Sequence, residues 1–483
     1  MHAILLTFIV IALALRSLPC SHATPPAALG SKTTHIKLGL LYEDDDESLF
    51  HIARVMGAAV ANVNSRSDIL PDALVDLKPY PFIISDGDPT QHTVLAAQNA
   101  SAAGVFAIVG PAFSAFSMIS GAFTALHKIP MCLPTASTDA VSNQTLYPNF
   151  VRLTNPDGIL ASFPVTWMYR MGWRKMAVVY DGSFSGGSLF TEHLASIRST
   201  AATLGMNILS EVSLDYSLNS TLDAAVNAIK NSGARIVYLY SDPTSATMLW
   251  MAAYAAGLVT KDYVWVASDG VDAGSIASTL GDAVSQNHGV FSVAEQFADT
   301  TTAQYQTFQS AFQAQSSDTT PPNDYTELWW DCAFALFWGF DQLLRRNTSL
   351  SSAMLTNPDY TPPTNGAPYN LQPFTNTSIF STGEPGLVAP YVFENGLLKR
   401  NINMLARANG TDIVVANLTN ILSTGVYFSG STSVPSDTGP TTTTTSATAT
   451  PTETGVTSSG RRAEADYWTW VGPIAVGLAA MVL

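Results

Sequence analysis

The sequence predicts an α/β fold of two parallel-sheet lobes joined by hinge crossings. Three observations predict it. Short apolar runs alternate with longer amphipathic stretches, most of the short runs read apolar on both faces, and the alternation breaks and restarts near Phe150-Val151-Arg152. Strands buried on both faces and separated by helices belong to parallel sheets covered by helices, and a restarted series belongs to a second lobe.

The elements follow in order. Strand candidates rich in Val, Ile, Leu and Tyr cover 36–42, 75–80, 105–109, 130–134, 175–180, 235–240 and 263–267. Helix candidates between them cover 50–63, 91–102, 115–126, 189–204, 222–231, 246–257 and 327–344. The turn-rich Leu153-Thr154-Asn155-Pro156-Asp157 precedes the second βα series, and a second break lies near 294–298. Residues 358–373, rich in proline, read as a surface loop before last strands at 391–393 and 402–405. The expected organisation is a first lobe over 36–152, a second over 153–296, a return to the first over 297–380, and hinge plus last second-lobe strands over 381–425.

The ends predict a surface protein. Residues 4–15 form an apolar run, and Ser21-His22-Ala23 offers the small-x-small pattern of a cleaved leader, placing a signal peptide at 1–23. A Ser/Thr/Pro-rich stalk covers 429–460 and a charge-free apolar tail ends the chain within 461–483. Small residues Ser458, Ser459 and Gly460, then a polar spacer and the tail, follow the order of a glycolipid-anchor signal. The alternatives are a single membrane span, or a chain whose larger membrane domain lies beyond this sequence. The triplets at Asn99, Asn143, Asn219, Asn347, Asn376, Asn409 and Asn417 are candidate glycosylation sites.

Composition narrows the function. The net charge of -15 argues against nucleic acid and anionic lipid surfaces as partners. Without the leader's Cys20, only Cys132 and Cys332 remain; they read either as small buried hydrophobes or as one bridge. No GxSxG, HExxH, P-loop, CxxC or GxGxxG pattern occurs, so nothing points to catalysis or to a cofactor.

In α/β sheets of this kind ligands sit beyond the carboxyl ends of the strands. Ser114 falls at the start of a helix after one such strand, as an N-cap or as part of an anion site. Ser137, within Thr135-Ala136-Ser137-Thr138-Asp139, either completes that site or forms a turn. Phe184, in a glycine-rich loop, could cover a ligand. Asp242 and Asp269 follow neighbouring strands. Singly each reads as a helix cap; together they repel unless a bound ammonium sits between them. The acidic run Glu43-Asp44-Asp45-Asp46-Glu47 either satisfies a helix dipole or lines the cleft and favours neutral or cationic ligands.

Asn62-Val63-Asn64-Ser65-Arg66-Ser67-Asp68 closely resembles the first-helix exit of class C receptor ligand-binding domains, the metabotropic GABA and glutamate receptor type. Ile129-Pro130, Tyr147 through Asp157, Gly172-Trp173, Ala234 through Val237, Tyr263 through Gly270 and Glu394-Asn395-Gly396 continue the resemblance in order over 36–422. It implies the type I periplasmic-binding-protein fold, a bilobed clamp that closes on amino acids and related molecules.

Carried over residue by residue, Ser114 and Ser137 resemble the serines that hold a ligand carboxylate. Asp269 resembles the acid that holds its ammonium, Asp242 stands at a ligand-contact position, and Phe184 lies near a covering aromatic. Ala112, Phe113 and Val271 depart from the pattern. The expected function is extracellular, anchored binding of an amino acid or related zwitterion, with a transmembrane co-receptor and dimerisation through the first lobe as possible partnerships. A ligand-free adhesion scaffold is the alternative, and acid–base chemistry by Asp242 and Asp269 is a further rival without a supporting motif.

Overall fold

The computed structural model of the chain describes residues 32–44, 51–83, 88–182, 188–215, 218–241, 243–260, 262–269, 271, 290–317, 320–348, 350–352, 355, 377–408, 411–418 and 437. The leader and tail predicted at the two ends lie outside them, and of the stalk only Asp437 is described, its carboxylate accepting Arg174 N at 2.7 Å.

The first series runs β1 (Thr34–Glu43), α1 (Ile52–Ser65), β2 (Ala73–Phe82), α2 (Pro89–Ala102), β3 (Ala107–Val109), α3 (Ser114–Leu126), β4 (Met131–Leu133) and β5 (Phe150–Arg152). The second runs α4 (Asp157–Arg170), β6 (Lys175–Asp181), α5 (Ser188–Leu204), β7 (Asn207–Leu214), α6 (Asn219–Ser232), β8 (Ile236–Tyr240), α7 (Pro243–Ala255), β9 (Val264–Ala267) and β10 (Val290–Glu295). Two more helices follow, α8 (Ala303–Gln313) and α9 (Asp324–Arg346). The last strands are β11 (Phe393–Glu394), β12 (Leu397–Leu398), β13 (Ile402–Ala408) and β14 (Thr411–Asn417).

Two seven-stranded sheets result, ordered β11-β12-β5-β4-β3-β1-β2 and β14-β13-β10-β9-β8-β6-β7. All pairs from β1 to β5 and from β6 to β10 are parallel, and antiparallel pairs are confined to β11–β12, β10–β13 and β13–β14. Strand order reverses between β1 and β3 in the first sheet and between β6 and β8 in the second, which puts the ligand crevice beyond the carboxyl ends of those strands.

The strands named in the sequence form within a few residues of their predicted bounds. The elements not named have physical reasons for their silence. Helix α4 carries Pro164 in its interior, which removes a backbone donor and blurs the periodicity. Strand β7 alternates exposed and half-buried residues, a polar edge rather than an apolar run. Helix α8 is mostly polar and is held by Tyr305, Phe308 and Phe312 on one face, with Thr302 capping its start at 3.2 Å from Tyr305 N.

One expectation needs correcting. The stretch 381–425 does not belong to the hinge and second lobe throughout. Phe393–Leu398 forms a hairpin on the first sheet, turned by Asn395 and Gly396 at φ 50° and 76°, while β13 and β14 extend the second. Leu397 pairs with Arg152, so the hairpin covers the edge that β5 would otherwise expose.

The first lobe's core lies where α1, α8 and α9 cover one face of its sheet, with Trp329, Phe334, Phe337 and Phe340 of α9 buried against Leu38, Leu40 and Val109. A capping box of Asn323 and Thr326 starts α9. Cys332 of α9 is joined to Cys132 of β4, Cα atoms 5.5 Å apart, closing a loop of 200 residues. The two cysteines are therefore a bridge, not separate small hydrophobes. Nearby Asp331 accepts hydrogen bonds from Leu387 N (2.8 Å), Val388 N (2.9 Å) and the Tyr391 hydroxyl (2.9 Å). Burial nevertheless pushes its carboxyl up to about 6.

Candidate functional site

The cleft is built from loops that follow the strands. On the first-lobe side, Gly110 ends β3 at φ +91°, and a Cβ there would lie 2.0 Å from Leu41 O, so only glycine lets the chain pass β1 this closely. The next residues start α3. Phe113 occupies the N-cap position without a side-chain cap. The carboxylate of Glu43, wholly buried at the end of β1, supplies the acceptors instead, taking Ala112 N and Phe113 N at 3.1 Å each. The acidic run thus satisfies a helix dipole through its first member, at α3 rather than at the helix next in sequence. Asp44 is exposed, and residues 45–47 lie outside the described residues.

Ser114 is the first helical residue of α3, not its cap. Its Oγ accepts Ser137 N at 3.3 Å and Thr138 N at 3.2 Å, so the structure brings Ser114 and Ser137 together. The loop that carries Ser137 is fastened to the first crossing. Thr154 Oγ1 donates to Ala136 O at 2.9 Å, Asp157 N to Ser137 O at 2.9 Å, and Arg152 Nη1 to Thr138 O at 2.7 Å. Asp139 closes the series by accepting Gly158 N at 3.0 Å, on the first turn of α4. A Cβ on residue 158 would lie 2.7 Å from Asp139 Oδ2, so glycine admits this contact.

The second-lobe side is acidic. Asp157 pairs with His193 at 3.0 Å, both side chains at most 10% exposed, and the His193 ring stands edge-on to Tyr240 with centroids 4.8 Å apart. Asp269 follows β9. Burial, with the charges of Asp157 and Glu295, pushes its carboxyl up to about 7. Asp139 is raised as well, by burial and then by Asp157. The Tyr240 and Tyr238 hydroxyls are pushed well up by burial and by Asp269. The ends of β8 and β9 are tied side by side, the Ser268 hydroxyl donating to Ser241 O at 2.9 Å and accepting Ser241 N at 3.3 Å.

Of the residues the sequence singles out, Ser114, Ser137 and Asp269 lie just past the carboxyl ends of β3, β4 and β9. Phe184 and Asp242 lie outside the described residues; among the described acids, Asp157 and Glu295 contribute to the raised pKa of Asp269. Sequence reasoning passed over Asp157, His193, Glu295 and Tyr240 as site residues. Asp157 stood in a quoted motif, yet nothing local marks its meeting with His193, 36 positions away. Among the candidate sequons, Asn99 and Asn143 are exposed and Asn347 and Asn417 half-buried; Asn219 begins α6; Asn376 and Asn409 lie outside the described residues.

Glu295 also sets the hinge. Its Oε1 accepts both Asn155 N and Asn155 Nδ2 at 2.7 Å, and its Oε2 pairs with Arg400 Nη1 at 3.2 Å. Arg400 Nε donates to Gln296 O at 2.6 Å, so one carboxylate links all three crossings between the lobes. A separate cavity of about 310 Å³ lies under the β11–β12 hairpin, bordered by Arg152 and Pro156; none of Ser114, Ser137, Asp157 and Asp269 lines it. Among the described residues no group of three His, Cys, Asp or Glu could hold a metal ion, and no helix is long and apolar enough to cross a membrane.

Comparison with known proteins gives this geometry a family. The model of the receptor family ligand binding region matches residues 51–370. Taste receptor type 1 member 3 of Canis lupus familiaris is 26% identical over 246 residues, covering 47% of this chain and 28% of that protein. Gamma-aminobutyric acid type B receptor subunit 1 of Mus musculus is 26% identical over 208 residues, covering 43% and 20%. A metabotropic glutamate receptor of Drosophila melanogaster is 22% identical over 223 residues, covering 46% and 22%. The matched region is thus about a quarter of each relative's length.

Among solved structures, an ABC transporter substrate-binding protein from Desulfitobacterium hafniense in complex with Leu superposes with a TM-score of 0.58. It is 14% identical and covers 79% of this chain and 99% of its own. With two mostly parallel sheets joined by three crossings, the chain belongs to the receptor family ligand-binding region and has the type I periplasmic-binding-protein fold.

Proposed function

We propose that this protein is a receptor-like binding protein at the outer face of a cell membrane, closing its two lobes on a small ligand that carries an ammonium group, an amino acid or a related molecule. The observation that carries this reading is Asp269, whose carboxyl is raised to about 7 by burial and by the neighbouring acids Asp157 and Glu295. Acids crowded in this way gain from a cation placed among them. Asp269 and Asp157 receive the ammonium from the second-lobe side, while Ser114 and Ser137 meet the rest of the ligand from the first. Phe184 and Asp242 complete the enclosure in this reading. Closure follows because the closed state offers contacts the open state lacks.

The family matched is a ligand-binding one, and the leucine bound by the structural relative is consistent with an amino-acid-sized ligand. In this reading the chain is delivered by the leader at 1–23, raised on the stalk at 429–460 and held by a glycolipid at Ser458, Ser459 or Gly460. A co-receptor or a second copy docked through the first lobe transmits the signal.

Isothermal titration of the full chain in detergent micelles against a panel of amino acids and amines tests the ligand. Saturable binding that Asp269→Ala removes supports the reading; a flat panel makes the scaffold alternative the better one. Release from intact cells by a glycolipid-specific phospholipase tests the anchor, and retention on the cells rejects it.

A further inference from the structure

The cavity under the β11–β12 hairpin has a buried cation in its wall. Its volume of about 310 Å³ reaches the lower end of the range for small-molecule pockets. Leu133, Val141 and Phe150 are buried around it and give it an apolar floor. Arg152, also in the wall, is only 4% exposed.

The Arg152 guanidinium is only partly engaged. Its Nη1 donates to Ser137 O at 3.3 Å and to Thr138 O at 2.7 Å, and its Nη2 donates to the Ser142 hydroxyl. That leaves Nε–H and one hydrogen on Nη2 without an acceptor among the described residues. No described carboxylate forms an ion pair with it either. Burial lowers its pKa, and Asp139, Asp157 and Glu295 counter this only through space. Nε and Nη2 are the nitrogens that Arg66 offers to the carboxylate of Asp68.

Gln144 brings an amide to the same cavity. Its side chain has no hydrogen-bond partner among the described residues. It lies over the hairpin turn, where a Cβ on residue 396 would come within 2.9 Å of Gln144 Nε2. The acid in the wall, Glu394, is already turned to Lys399 at 2.7 Å, with its side chain 70% exposed.

We propose that this cavity is a second ligand site, separate from the cleft, for a small carboxylate with an apolar body. The carboxylate meets Arg152 and Gln144, and the body lies on Leu133, Val141 and Phe150. This site does not depend on the ammonium reading of the cleft. It touches the hinge, because Pro156 in its wall is the N-cap of α4 and the hairpin leads through Lys399 into Arg400. Arg152 also holds the loop of Ser137 and Thr138, the first-lobe border of the cleft.

The test titrates the full chain in detergent micelles with phenylacetate and 3-methylbutanoate, and with phenylacetamide and 3-methylbutanamide, against micelles alone. At least one carboxylate is expected to bind saturably, and more tightly than its amide by about fivefold or more. Arg152 fastens a loop, so the variants are made at Gln144, whose side chain holds nothing within the described protein. Gln144→Trp, which fills the cavity from its border, is expected to weaken the carboxylate by about tenfold or more. Gln144→Ala, which leaves the cavity open, is expected to weaken it less.

A flat titration with both carboxylates overturns the proposal, and so does an amide that binds as tightly as its acid; neither comparison needs a variant to fold. Carboxylate binding unchanged in a folded Gln144→Trp protein places the molecule elsewhere and overturns it too. None of these outcomes bears on Asp269, so this site and the ammonium reading fail separately.

Discussion

The two sides of the cleft differ in the charge they gather. On the first-lobe side Glu43 holds the start of α3, Ser114 holds the loop at Ser137 and Thr138, and that loop is fastened to the crossing by Thr154, Asp157, Arg152 and Gly158. On the second-lobe side the acids Asp157, Asp269 and Glu295 crowd together, and Asp269 bears the consequence as a raised pKa. One side is organised before any ligand arrives; the other holds electrostatic cost that a cation relieves. In the ammonium reading proposed above, a clamp made this way draws its affinity from the second lobe and its geometry from the first.

The largest expected effect breaks the organised side. Replacing both bridge cysteines, Cys132→Ala with Cys332→Ala, releases a loop of 200 residues. In the chain-entropy account this costs about 5 kcal/mol. Urea unfolding followed by tryptophan fluorescence should show the loss in the first lobe, where Trp329 and Trp330 report, with the second lobe's Trp167, Trp250 and Trp265 changing less.

Next comes Asp269→Ala, which removes the acid most relieved by a cation. A loss of about 100-fold in ligand affinity is expected, roughly 3 kcal/mol, read by titration calorimetry. An unchanged Kd would mean that the two sides do not divide the work as described.

A smaller effect concerns pH. Asp269 titrates at about 7 in the folded protein against 3.8 as the ordinary value, so between those limits the folded state holds the extra proton. Stability contributed at this position is therefore fully present below pH 3.8 and declines as pH rises towards 7. Asp269→Asn should be more stable than the wild type at pH 8, and the two should converge in acid. Thermal melts across pH 4 to 8 check the sign. Ammonium binding should run the other way, strengthening through pH 7 as Asp269 ionises.

Ser114→Ala is the mildest change. It leaves Ser137 N and Thr138 N without their acceptor and should cost about 1 kcal/mol of stability. Any affinity loss should stay well below that of Asp269→Ala, because the serine's hydroxyl oxygen is already used inside the lobe.

The fold was legible because its code is local. Burial on both faces shows within strands such as Ile236–Tyr240, and the restart after Arg152 announced a second sheet. Elements escaped where the local code was broken by Pro164 in α4 or diluted by the polar alternation of β7. The hairpin at Phe393–Leu398 showed its turn residues but not its sheet, since nothing local tells a two-residue strand which edge it will cover. At the candidate site, the positions of Ser114, Ser137 and Asp269 just past strand ends were legible. Asp157, His193 and Glu295 were not, because their roles come from whom they meet.

The sequence by itself determined the βα rhythm, the two lobes and the strand ends where a ligand would sit, because alternation and turn chemistry are properties of neighbouring residues. Only the tertiary structure decided that Glu43 would answer the helix at Ser114, that Cys132 would find Cys332, and that Glu295 would join Asn155 to Arg400. Those meetings depend on strand order and on crossings that bring together residues far apart in the chain. No local pattern of charge or hydrophobicity encodes that distance.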